Sequence, residues 1–198
     1  MLEPDPSMFE YPERDLLWSL VDHYFYEVHI FFPLLHRPTF ERELAEGLHL
    51  RDLMFGNTVL LVCALGSKFS DDPRVLVEGS GTTRSSGHKW YAQVDFGKTS
   101  FDKEASLHEL QMYAVRFQES ASALTSNFPK LLVFFAKSNT HSHGVWIHTS
   151  LATKLAMEVG AHRRKSEQGG RPTLEDELWK RAFWYVTWYP LTTITHCL

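Results

Sequence analysis

Cysteine is nearly absent: Cys63 and Cys197 are the two in 198 residues. One lies inside an apolar run and the other is the penultimate residue. They supply neither a disulfide framework nor a zinc cluster, and a reducing compartment fits. Long apolar runs are missing too. The longest, at residues 59–65, 131–136 and 30–35, fall well short of the ~18 apolar residues that a membrane helix needs, and Pro33 breaks the last of them. The first residues, Met1-Leu2-Glu3-Pro4-Asp5-Pro6, are acidic and proline-bearing. A signal peptide starts basic and turns apolar. Nor is there an excess of positive charge: 20 Lys and Arg face 24 Asp and Glu, a net charge of -4. A segment that grips nucleic acid by its phosphates is ordinarily basic, so direct DNA contact by this segment is not expected.

What is present is a core. Hydrophobic residues make up 43% and aromatics 14%, including six Trp and fourteen Phe, which suits a globular chain and excludes a disordered one. The apolar residues recur at helical spacing, with no convincing strand alternation and no internal repeat. Residues 1–12, with Pro4, Pro6 and Pro12, read as a leader or linker. Residues 13–30 are predicted helical, since Leu17, Val21, Tyr24 and Val28 share a face while Asp15, Asp22 and Glu27 can meet water. Pro33 and Pro38 forbid a regular helix in the apolar stretch that follows. We therefore expect a buried crossover there, then a short helix capped by Thr39, with Glu41 and Glu43 in its first turn and Gly47 ending it.

Residues 51–70 are predicted as a second long helix, 71–87 as a loop, and 88–95 as a short helix. Cys63, in the apolar run of that second helix, reads as a buried reduced thiol. In residues 106–124, Leu107, Leu110, Ala114, Phe117, Ala121 and Leu124 form one helical stripe, too short for a coiled coil. Pro129 interrupts, and 131–137 reads as a short apolar helix or turn. Residues 145–159 form a further helix with Leu151, Leu155 and Val159 on one stripe and Gly160 at its end. The last helix runs from Leu174 to about Tyr189, opened by a capping box of Thr173 with Asp176 and stopped by Pro190. The fold class is all-α: an irregular helical bundle over residues 13–189, with a tail at 190–198.

Motifs that carry chemistry are weak. Residues 92–99, Ala-Gln-Val-Asp-Phe-Gly-Lys-Thr, fit a loose nucleotide-binding pattern, but His88-Lys89-Trp90-Tyr91 is not the buried strand that a phosphate-cradling loop follows, and Gly97 is the single glycine. His141, His143 and His148 have no carboxylate or cysteine nearby in sequence to complete a zinc set, so a solvated loop is the expectation. Asp71-Asp72 has no third carboxylate at helical spacing for a Mg²⁺–diphosphate site. No hydrolase or metalloprotease signature occurs. The basic run 162–165 follows a helix end, where cations suit the dipole and the last carbonyls; a phosphate or acidic partner is its functional alternative. Catalytic, cofactor-binding and metal-binding residues are therefore expected to be none.

Four stretches, in order across about residues 14–186, resemble the middle homology domain of fungal zinc-cluster transcription factors. Phe32-Pro33-Leu34-Leu35-His36-Arg37-Pro38-Thr39-Phe40 is similar to the family's apolar-Pro-apolar-Leu-His-x-Pro-Thr-Phe element. Leu107-His108-Glu109-Leu110-Gln111 resembles its Leu-x-x-Leu-Gln helix start. Leu151-Ala152 through Leu155-Ala156-Met157-Glu158-Val159-Gly160-Ala161-His162-Arg163-Arg164 is similar to its Leu-Ala-x-x-Leu-Gly-x-His-Arg helix end. Glu177-Leu178-Trp179-Lys180-Arg181-Ala182-Phe183-Trp184 is similar to the basic-x-Phe-Trp helix after it.

The resemblance implies a non-enzymatic regulatory domain of a nuclear transcription factor. In that family DNA and zinc are bound by a separate N-terminal cysteine cluster, usually paired through a coiled coil, and neither is found in this chain. It also implies a protein partner or homodimer and a small-molecule effector, while the short apolar runs speak for no membrane. The positions it singles out are Pro33, His36, Pro38, His162, Arg163, Arg164, Phe183 and Trp184, with a structural role first: fixing how helices meet. The family's Asp-Arg pair after Phe-Trp is replaced by Tyr185-Val186-Thr187-Trp188-Tyr189-Pro190. The expectation is the incomplete N-terminal part of a larger helical domain, as from a fragment or a mis-spliced gene. The competing class is a small-molecule-binding helical receptor or enzyme with a pocket between aromatic-rich helices.

Overall fold

The computed structural model of the chain describes residues 9–30, 33–77, 85–94, 106–122, 143–161 and 173–194. Among the described residues the structure is all-α, with no strand. It falls into two compact units, Met1–Phe101 and Asp102–Leu198.

In the first unit, α1 (Arg14–His23) continues into one π-helical turn, Tyr24–Val28, followed by α2 (Arg37–Ala45), α3 (Leu53–Gly66) and α4 (His88–Tyr91). Helix α3 is the centre, packed by α1, the π turn and α4. Its fourteen residues, LMFGNTVLLVCALG, include no charge, and everything from Phe55 to Gly66 is buried. A helix that is apolar all round has no face to give to water. Its start is set by Asp52, whose side chain accepts the Phe55 N–H at 2.8 Å, satisfying a donor that the helix itself leaves open. Its two buried hydroxyls turn back on the backbone, Thr58 to Met54 O (2.9 Å) and, in the following 3-10 turn, Ser67 to Cys63 O (2.6 Å).

Helix α1 presents Leu16, Leu17, Leu20 and Val21 to the core, and the π turn adds Tyr24, Phe25 and Val28. The expected face of Leu17, Val21, Tyr24 and Val28 is thus observed, but the helix does not stay α. The His29 N–H reaches back five residues to Tyr24 O at 2.9 Å. The wider turn brings the sequence neighbours Tyr24 and Phe25 both into the core, their rings edge-on at 5.2 Å.

The crossover differs from expectation. Leu34 and Leu35 are buried, while Pro33 and Pro38 are exposed. Helix α2 begins at Arg37, with His36 rather than Thr39 at the cap position, so Glu41 and Glu43 fall beyond its first turn. Pro38 explains the shift: inside the first turn its missing N–H leaves no bond unmade and its fixed φ suits the helix. Gly47 follows the helix at φ 73. The predicted second helix is shorter in α form, giving way to a 3-10 turn at Ser67–Phe69. The predicted short helix at 88–95 ends at Tyr91, and a 3-10 turn, Pro73–Val75, interrupts the predicted loop.

In the second unit, α5 (Leu107–Ser122), α6 (His143–Glu158) and α7 (Leu174–Ile194) pack pairwise on one another. One stripe was expected on α5; instead every residue from 109 to 115 is buried, Glu109 and Gln111 included. Ser106 and Glu109 open it as a capping box: Ser106 Oγ accepts the Glu109 N–H at 3.1 Å, and the Glu109 carboxylate is bonded by the Ser106 backbone. Helix α6 ends as expected at Gly160, φ 67. Ala161 N–H bonds Ala156 O (2.9 Å) and Gly160 N–H bonds Met157 O (3.0 Å), the paired closure that a left-handed residue permits.

Helix α7 opens with the expected box: Thr173 N–H to Asp176 Oδ2 at 3.0 Å, Asp176 N–H to Thr173 Oγ1 at 3.1 Å. It does not stop at Pro190 but continues to Ile194. Proline removes the N–H that would bond the carbonyl four residues earlier. That carbonyl belongs to Val186, and the Thr153 hydroxyl of α6 donates to it at 3.3 Å. Packing against a neighbouring helix thus supplies the bond that the proline withholds. Leu124, 131–137 and His141 lie outside the described residues.

Candidate functional site

The residues singled out from sequence fall in different places. Pro33, His36 and Pro38 belong to the first unit, and Phe183 and Trp184 to the second. His162, Arg163 and Arg164 lie outside the described residues. At the start of α2, His36 is extended (φ -98, ψ 106). Its Nδ1 lies 2.8 Å from Thr39 Oγ1, and its carbonyl accepts the Phe40 N–H at 3.0 Å. This closes the first turn.

Between the two sits Arg37, which sequence reading passed over. Its Nε donates to Glu41 Oε1 at 2.6 Å, and its Nη2 donates to Asp22 of α1. The guanidinium carbon stands 5.3 Å from the Phe25 ring centroid and 5.4 Å from that of Tyr26. Burial lowers the Arg37 pKa, but its bonds and charge contacts with Glu41 and Asp22 outweigh this and leave it raised. The cation ties α2 to α1 and the π turn by charge and by aromatic faces together. This is a clamp between helices. The only signal in the sequence was a lone basic residue inside an apolar stretch.

A second cation plays the same part. Arg74 donates to Glu13 (2.6 Å), Asp15 (2.8 Å) and Asp72 (2.8 Å). Its hydrogen bonds hold the Asp15 and Asp72 carboxyls below their ordinary range, and those bonds raise the arginine's own pKa. The start of α1 is thereby fastened to the Pro73–Val75 turn.

On α7 the buried stripe is Leu178, Ala182 and Val186. Phe183 is half-buried, and Trp184 is 60% exposed beside it, ring centroids 5.7 Å apart. Cys63 is fully buried, and burial pushes its thiol pKa up, as befits an inert core residue. The nucleotide-like stretch follows a four-residue helix rather than a strand; Ala92, Gln93 and Val94 lie in the turn after it, and 95–99 lie outside the described residues. Among the described residues no group of three or more His, Cys, Asp or Glu is placed to hold a metal ion. No described helix is long and apolar enough to cross a membrane.

No curated protein and no solved structure matches this chain. The profile of the fungal specific transcription factor domain matches it over residues 21–186, from the end of α1 to the buried stripe of α7. That family is a transcription factor domain and not an enzyme family. With the greater part of its length matched, the chain belongs to the fungal specific transcription factor domain family.

Proposed function

We propose that this chain is the regulatory part of a nuclear transcription factor, controlling DNA-templated transcription through partners or an effector rather than by gripping DNA itself. The observation that carries the reading is the family match over residues 21–186. A net charge of -4 supports it, because phosphate contact calls for clustered cations. The two arginines described above are each held by two or three carboxylates within the fold, so their charge is already answered.

In this reading DNA and zinc belong to a separate cysteine-cluster module. The cysteines here do not fit one: Cys63 is sealed in the core, and a cluster needs several thiolates converging on the metal. His36 and Pro38 act by shaping the α2 start, and Phe183 and Trp184 by shaping the outer side of α7. His162, Arg163 and Arg164 remain the candidates for an acidic or phosphate-bearing contact. A homodimer, a protein partner or a small-molecule effector would act through the helical surfaces.

The test is a fusion of the chain to an unrelated DNA-binding domain, read by a reporter gene. The expected result is a change in reporter output, upward or downward, relative to the DNA-binding domain alone. A soluble, helical fusion that reaches the reporter and leaves its output unchanged would overturn the reading.

A further inference from the structure

Residues 10–13 have no regular secondary structure, yet they are fastened to the first unit at defined points. The Gln93 side chain accepts the Glu10 N–H at 2.7 Å and donates to the Glu10 carbonyl at 3.1 Å. One residue on, the Tyr11 hydroxyl donates to the His49 carbonyl at 2.9 Å. Gly56 leaves the room for it, since a Cβ there would lie 2.5 Å from Tyr11 Oη. The Tyr11 ring stands edge-on to the His49 ring, centroids 4.8 Å apart.

His49 makes this attachment sensitive to acid. Its Nδ1 is buried and has no hydrogen-bond partner. The neutral ring tolerates this by carrying its proton on Nε2. Protonation adds an N–H at Nδ1, and a charge with it, where solvent is shut out and no acceptor is in reach. Charged groups on the surrounding elements are engaged elsewhere or face solvent. Glu13 pairs with Arg74, Arg37 with Glu41, and Arg42 with Glu43 and Glu46. Asp52 accepts the Phe55 N–H, Arg51 donates to the Glu46 carbonyl, Lys89 lies over Trp90, and Glu10 is exposed. Helix α3 carries no charge. Burial is thus what lowers the His49 pKa below the ordinary 6.5.

We propose that residues 9–12 form an acid-released strap: protonation of His49 at Nδ1 frees them from the turn before α3, while α1 and α3 keep their packing. The hold is complete above pH 6.5 and is lost as pH falls through 6.5 towards the lower value of the seated ring, because the freed ring takes the proton more readily. One unit below, at about pH 5.5, the freed form gains up to about tenfold over the seated one. The strap calls on no partner and is independent of the transcriptional reading.

The test is hydrogen–deuterium exchange of the full chain at about pH 7.5 and about pH 5.5, corrected for the intrinsic exchange rate and read by peptide. Peptides covering residues 9–13 should lose protection on acidification, by up to about tenfold, while those of α3 keep theirs. His49→Phe keeps a ring against Tyr11 and has no nitrogen to protonate. Its residues 9–13 should be equally protected at both pH values. Unchanged protection in the wild type overturns the proposal, as does an equal loss in His49→Phe or a loss that α3 shares in step. Should His49→Phe fail to fold by circular dichroism, an NMR titration of the wild-type His49 ring replaces it. A midpoint below 6.5 that coincides with loss of the Tyr11–His49 contact is then expected. A midpoint at or above 6.5, or a contact that persists once the ring is protonated, overturns the proposal.

Discussion

Gly66 illustrates how one residue's absent side chain sets a helix crossing. A Cβ built on it would stand 2.1 Å from Leu20 O and 2.9 Å from Leu20 C. The obstacle is backbone, which cannot swing aside as a side chain can. Gly66→Ala is therefore expected to destabilise the chain by about 3 kcal/mol, the upper part of the range for overpacking, read as a lowered midpoint in urea. Glu109 is the opposite case, a charge where burial resists it. Its Oε1 is buried with no hydrogen-bond partner. Burial raises its carboxyl above the ordinary 4.5, with the Ser106 backbone bond offsetting part of that. A raised acid binds its proton more tightly folded than unfolded. As pH climbs through the ordinary value, the unfolded chain ionises first and the folded state loses ground. Glu109→Gln keeps the capping geometry and removes the charge. It should be more stable than wild type at neutral pH, by about 1 kcal/mol, with the difference closing as pH falls towards 4.5. A gap that widens on acidification would contradict this.

At the scale of elements, local chemistry and packing divide the work. Helix ends were readable because their signals are short-range: Thr173 with Asp176, and Gly160 after Val159, behave as their residue types require. Removing the hydroxyl in Thr173→Ala leaves the Asp176 N–H without that acceptor. It should cost about 1 kcal/mol, seen as a fall in Tm of about 2–4 °C. At Pro190 and on α5, reading from sequence failed because distant partners decided. The predicted end at Pro190 misses because Thr153, thirty-three positions from Val186 in sequence, bonds the carbonyl that the proline leaves open. The start of α2 misses because Pro38 fits the first turn of a helix as well as it breaks a later one. The single stripe on α5 misses because two helices, α6 and α7, both pack on it. The candidate residues show the same division. His36 and Pro38 were legible as a helix-start motif, whereas the Arg37 clamp depends on Asp22, Phe25 and Tyr26, which only folding brings beside it.

At the scale of the molecule, charge argues against a nucleic-acid grip. With a net charge of -4, the purified chain should show no retention of duplex DNA at about 150 mM salt. It should also lack the steep fall of affinity with salt that marks counterion release. A titration with a strong salt slope would show a cationic surface that the described residues do not reveal. The sequence by itself determined the all-α class, the charge balance, the inert cysteine in an apolar helix and the order of motifs that places the chain in its family, because each depends on residue type and local spacing. Only the tertiary structure decided that α7 runs past Pro190, which faces are covered, which carboxylates Arg37 and Arg74 meet, and that Tyr11 is seated against His49 and Gly56. Those outcomes depend on groups far apart along the chain, and no local pattern encodes which distant backbone or ring will arrive.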